Sequence, residues 1–104
     1  MKPTVTQLAA LLATQGESAV LRFSLGNACQ DSAPTQAIEH LQRALALDPD
    51  YSAAWKLLGR VLAASGASDE ARSAYTQGIA VAERRGDIQA AKEMTVFRKR
   101  LDKP

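Results

Sequence analysis

The feature that most constrains this sequence is that it repeats itself once, at an offset of 33 to 34 residues. Leu25, Gly26 and Cys29 stand 33 positions before Leu58, Gly59 and Leu62. Ala37, Leu41, Ala44 and Leu45 stand 34 before Ala71, Tyr75, Gly78 and Ile79. The change of offset falls near Asp31-Ser32-Ala33-Pro34, where an insertion disturbs a surface turn and not a core. In the later copy Trp55, Leu58 and Leu62 sit at i, i+3 and i+7 and share one helical face. Gly59 lies on that face although Gly costs about 1 kcal/mol relative to Ala in a helix interior. Such a Gly marks a close crossing, where the missing Cβ admits a second backbone. Ala71, Tyr75, Gly78 and Ala82 form a matching stripe on the next helix. Between them, Ser65-Gly66-Ala67-Ser68-Asp69 offers a Gly stop and then Ser or Asp as an N-cap. Each copy reads as two antiparallel helices joined by a tight turn.

Trp55-x2-Leu58-Gly59-x2-Leu62, followed by Ala71-x3-Tyr75, resembles the tetratricopeptide repeat (TPR), written W-x2-L-G-x2-Y…A-x3-F…P. Leu62 replaces the Tyr, Tyr75 replaces the Phe, and Glu83 stands where the closing Pro is expected. In the earlier copy Arg22 takes the Trp place, with Leu21 or Phe23 to fill part of the gap. Cys29 takes the Tyr place and faces the core, and Pro49 matches the closing Pro. The resemblance implies an all-α, TPR-like α-solenoid of antiparallel helix pairs, with repeats over about 19–51 and 52–85. It implies a non-catalytic protein–protein interaction module, a scaffold or adaptor. The partner segment is then expected in a concave groove lined by the first helix of each repeat. Val20, Phe23, Asn27 and Gln30 come from one, and Ala53, Lys56, Arg60 and Ala63 from the other. Asn27, Lys56 and Arg60 resemble part of the set with which some members clamp a carboxylate, but Phe23 stands where that clamp would have Lys. Phe23, Asn27, Gln30, Lys56 and Arg60 are the expected partner-binding residues, with an acidic segment carrying a hydrophobic residue as the first ligand to try.

The flanks complete the reading. Val5, Leu8 and Leu12 give one apolar stripe before Gly16, and Ala90, Met94, Phe97 and Leu101 give another after Gly86-Asp87. Neither carries a full repeat, so each is expected to cap the stack. Helices are expected near 4–15, 18–31, 34–47, 51–65, 69–84 and 87–101, six in all. The expected organisation is one domain over 1–104. It comprises a capping helix in 1–17, repeats in 18–51 and 52–85, and a second cap in 86–104. Pro34 suits the first turn of its helix, Asp50 is placed to cap the Trp55 helix, and Trp55 is expected to be largely buried between the repeats.

Composition limits the chemistry. One hundred and four residues support one modest core, and 46% hydrophobic content with only 5% aromatic residues makes that core Ala- and Leu-rich. The single cysteine, Cys29, forms no internal disulfide, which is compatible with a cytoplasmic protein. The apolar run Leu8 to Ala13 is too short to span a membrane. One His and one Cys make no typical zinc site, the glycines stand singly and not in a phosphate loop, and His40 reads as an exposed surface residue. No catalytic residue, cofactor or metal is expected, and nothing in the sequence sets the oligomeric state. Charge is uneven: residues 1–83 carry six basic and eight acidic side chains, and residues 84–104 carry seven basic against three acidic. The basic end reads first as a solvated helix face complementing the helix dipole. The alternative function is a nucleic-acid or ribonucleoprotein accessory domain working through that helix.

Overall fold

A computed structural model describes residues 3–103 and contains six α-helices, with no strand among those residues. They are α1 (Val5–Gln15), α2 (Ala19–Cys29), α3 (Pro34–Leu47), α4 (Ser52–Ala64), α5 (Ser68–Arg84) and α6 (Ile88–Arg100). Each end lies within two residues of the expected one, because local chemistry sets it. Thr4 and Gln7 form a reciprocal capping box at α1, with Gln7 N–H donating to Thr4 Oγ1 at 3.1 Å and Thr4 N–H to Gln7 Oε1 at 2.8 Å. Ser18 caps α2 by accepting from Leu21 N–H, and Pro34 opens α3 at its first position.

The same stop ends α4 and α5. Gly66 and Gly86 adopt φ of 84° and 76°, where a Cβ is strained. Ala67 N–H then returns to Leu62 O at 2.9 Å, and Asp87 N–H to Ala82 O at 2.8 Å. Each is a Schellman closure that satisfies carbonyls left over by the helix. Two expected caps are different in fact. Ala67, not Ser68 or Asp69, is the N-cap of α5, and Asp69 and Glu70 instead favour the first turn through the helix dipole. Tyr51, not Asp50, caps α4, while the Asp50 carboxylate accepts from Arg84 Nη2 at 2.6 Å.

The chain divides into two compact units, residues 1–49 and 50–104. In the first, α2 packs against α3 and, less extensively, α1. Leu25, Cys29, Ala37, Leu41 and Ala44 form its core. Leu41 occupies the space a Cβ on Gly26 would need, with its Cγ 2.7 Å from that position. In the second unit α5 packs between α4 and α6. Here Gly59 does not admit a backbone: the Tyr75 ring fills its place, with Cδ1 2.6 Å from where a Cβ would stand. Gly78 admits Trp55 Cβ at 2.7 Å and the Met94 thioether, and the Tyr75 and Phe97 rings meet at 5.9 Å between centroids. Trp55 is neither fully buried nor exposed, and its Cβ is the atom that packs at Gly78. No polar or charged residue is buried among the described residues.

The Gly59–Tyr75 contact is directly testable. Ala at Gly59 gains about 1 kcal/mol of helix propensity but overpacks the ring, at a cost of about 1–3 kcal/mol. Gly59→Ala should be destabilised in urea unfolding by up to about 2 kcal/mol. A more stable variant would show that Tyr75 does not depend on this space.

Candidate partner-binding surfaces

Phe23, Asn27 and Gln30 fall at i, i+4 and i+7 of α2, and they line one cavity of about 520 Å³ in the first unit. Its other walls are Ser24 and Ala28 of the same helix, Asp31 beyond it, and Pro3, Thr4, Val5 and Leu8 at the start of α1. The capping box therefore has a second effect: it fixes the turn of α1 that closes this cavity. Gln30 Nε2 donates to Asn27 Oδ1 at 2.9 Å and to Asn27 O at 3.2 Å. Asn27 Nδ2 and Gln30 Oε1 have no hydrogen-bond partner among the described residues. The cavity thus combines apolar walls with one available amide donor and one available acceptor, the usual make-up of a ligand site. That α1 and Asp31 contribute was not read from the sequence, because a stripe pattern says which face is apolar but not which turn of a neighbour meets it.

In the second unit the two expected cations behave differently. Lys56 Nζ donates to Glu93 Oε1 at 3.4 Å, tying α4 to α6. Arg60 is exposed and has no ion-pair partner among the described residues. Lys56 is therefore partly committed to holding its own unit together, and Arg60 is the available cation of α4.

Arg22, at the position of Trp55 in the later copy, builds something the sequence reading did not anticipate. Its guanidinium donates to both oxygens of Glu17, at 2.7 Å and 3.0 Å, and Arg43 Nε adds a third bond at 2.8 Å. Arg22 Nη1 lies 3.1 Å from His40 Nδ1. A guanidinium can only donate, so Nδ1 accepts and the ring is neutral with its proton on Nε2. His40 is accordingly half-covered and hydrogen-bonded, a correction to the exposed position expected. The signal was present as a charged residue in a Trp place, but Glu17 and Arg43 come from beyond the motif.

Hydrogen bonds from Arg22 and then Arg43 hold the Glu17 carboxyl at about 2, against an ordinary 4.5. Burial, and next the Arg22 charge, push the His40 imidazole below its ordinary 6.5. Both shifts work in one direction. The unfolded chain takes up His40's proton first, so stability falls as pH drops through about 6.5; the Glu17 contribution is full above 4.5 and is lost toward about 2. No group of three His, Cys, Asp or Glu among the described residues is placed to hold a metal, and no helix there is long and apolar enough to cross a membrane.

Paired helices, glycine-accommodated contacts and Schellman turns define an all-α helical-repeat protein. A tetratricopeptide repeat model matches residues 28–94. The chain is 49% identical over 94 residues to the TPR repeat-containing protein PA0015 of Pseudomonas aeruginosa, covering 89% of this chain and 90% of that protein. The solution structure of protein BPP2914 from Bordetella parapertussis superposes with a TM-score of 0.83 at 41% identity, over 97% of this chain and 89% of that one. A crystal structure of MamA protein superposes at 0.73 with 30% identity, over 93% of this chain and 56% of that one. The chain belongs to the tetratricopeptide repeat family, whose repeats are in general non-catalytic protein–protein interaction modules.

The His40 environment gives a prediction with one unambiguous signal, since the chain has a single histidine. By NMR its titration midpoint should lie below 6.5. Arg22→Ala removes both a nearby positive charge and part of the cover, and should move the midpoint up. An unchanged midpoint would mean that the Arg22–His40 contact does not persist in solution.

Proposed function

We propose that the chain is non-catalytic and binds segments of partner proteins, with the exposed face of α2 as one contact surface and that of α4 as another. The supporting observation is the α2 cavity, which brings Phe23, Asn27 and Gln30 together with an amide donor and acceptor left over. A peptide group carries the complementary pair: its C=O accepts from Asn27 Nδ2 and its N–H donates to Gln30 Oε1. One apolar side chain of the partner packs on Phe23 and the Val5–Leu8 wall. The acidic preference comes from α4, where Arg60 is the principal contact and Lys56 joins only by loosening its bond to Glu93. Asp31 lines the α2 cavity, so a carboxylate is disfavoured there, whereas Arg60 makes the α4 surface suited to an acidic group.

Random peptides displayed on phage and selected against the full chain test this reading. The selected sequences should combine an apolar residue with an acidic one, and their affinities can be measured by calorimetry. Phe23→Ala should weaken them about tenfold, a loss near 1.4 kcal/mol. Arg60→Ala should weaken them severalfold, with a greater effect at low salt. Neither change should lower the melting temperature by more than a few degrees. Selected peptides that bind Phe23→Ala and Arg60→Ala as well as the wild type would sink the proposal.

A further inference from the structure

The two sides of α6 differ. Its inner side places Ala90, Ala91 and Met94 in the core of the second unit. On the other side Ile88 is 56% exposed and Val96 47% exposed, two turns apart. With Ala91, Lys92, Thr95 and Glu83 of α5 they wall a groove of about 530 Å³. Two exposed apolar residues standing singly would be ordinary surface. Set along one groove about two turns apart, they make a continuous apolar strip long enough to take the apolar face of a helix.

Charge selects the occupant. The three acidic side chains of residues 84–104 are all engaged within the unit. Asp87 caps α6 by accepting from Ala90 N–H at 3.2 Å, and Glu93 accepts from Lys56. Asp102 Oδ1 accepts twice from Arg72, at 3.2 Å and 2.9 Å. Among the bases, Arg84 pairs with Asp50, Arg98 Nη1 donates to Thr76 Oγ1 at 3.1 Å, and Arg100 lies over the Phe97 ring at 5.7 Å. Arg85, Lys92, Lys99 and Lys103 keep no charged partner among the described residues. Lys92 borders the groove, and Lys99 continues its stripe seven residues on, so both face whatever lies along Ile88 and Val96. Only Glu83, in the last turn of α5, opposes them.

We infer that this groove docks an acidic amphipathic helix of another protein. Its apolar side chains seat between Ile88 and Val96, and its carboxylates face Lys92 and Lys99. A second copy of the same face is disfavoured, since a two-fold contact would set these lysines against their equivalents. Nucleic acid would meet the lysines through phosphates but leave Ile88 and Val96 without a role. The site uses none of Phe23, Asn27, Gln30 or Arg60, so it stands or falls apart from the α2 and α4 surfaces.

The probe is a fluorescein-labelled synthetic helix of about 18 residues, some five turns, with Leu along one face and Glu flanking it. One control has the same composition scrambled so that the stripe is lost, and another has Lys for every Glu. Anisotropy titrations with the full chain should show binding of the first peptide and at least tenfold weaker binding of both controls. Ile88→Ser with Val96→Ser, and separately Lys92→Gln with Lys99→Gln, should each cost about tenfold with unchanged circular dichroism. The methyl signals of Ile88 and Val96 should shift when the peptide is added to wild-type protein. Equal binding of the scrambled peptide would reduce the effect to general attraction between opposite charges and overturn the inference. So would full displacement by a single-stranded oligonucleotide while the methyl signals stay unmoved. A dimer of the free protein that Ile88→Ser with Val96→Ser abolishes would make the face a self-interface and equally overturn it.

Discussion

The helix pairs of this protein depend on one kind of contact, a large side chain of the second helix pressed into the space left by a glycine on the first. Leu41 does this at Gly26 and Tyr75 at Gly59, one pair in each unit. A side chain of any size at either glycine would push the helices apart, and the stripes on both would lose contact along their length. Close approach has its own consequence for composition. Helices this near each other need alanines at the remaining contacts, and Ala37, Ala44, Ala54, Ala71 and Ala82 are all fully buried. Dispersion between well-fitted small surfaces, more than any one large residue, holds such a core.

The fold was legible because repeated spacing tests itself. Leu25, Gly26, Cys29 and their counterparts 33 residues on are buried in both copies, and a false register would have failed in one of them. Glycine stops were legible for the same local reason, since only Gly takes the positive φ of Gly66 and Gly86 cheaply. The caps were less so. Ser68 and Asp69 are good capping residues, but the Schellman closure at Gly66 fixes where α5 must start, and tertiary geometry overrules the side-chain preference. The partners of Lys56, Arg22 and His40 were not legible at all. Each pairs with a residue from another helix, and a helical wheel records which way a side chain points but not what waits for it.

Arg22 shows what happens when a repeat keeps its frame and changes one anchor. A Trp at this position could rest on packing alone. A guanidinium there must find acceptors, because a half-buried cation without them is costly. Glu17 supplies two, and the neutral face of His40 a third, so the motif's apolar anchor is replaced by a hydrogen-bonded one. This exchanges a contact indifferent to pH for one that acid weakens from two sides, through protonation of Glu17 and of His40. Exposed ion pairs alone contribute little; here the geometry is bidentate and partly shielded, which is where such pairs begin to matter.

The surfaces left over after packing differ in chemistry, and the difference follows from which groups the fold has already consumed. On α2 the amides of Asn27 and Gln30 half-satisfy each other, leaving a neutral donor and acceptor beside an aromatic ring. On the proposed reading, that combination recognises backbone and shape with little dependence on salt. On α6 the carboxylates of Asp87, Glu93 and Asp102 are engaged in capping or bridging, and only Glu83 of α5 stands against the lysines beside Ile88 and Val96. That combination reads charge and an apolar stripe, and its affinity should fall with ionic strength. The two surfaces thus offer different chemistry, one neutral and aromatic, the other basic and apolar.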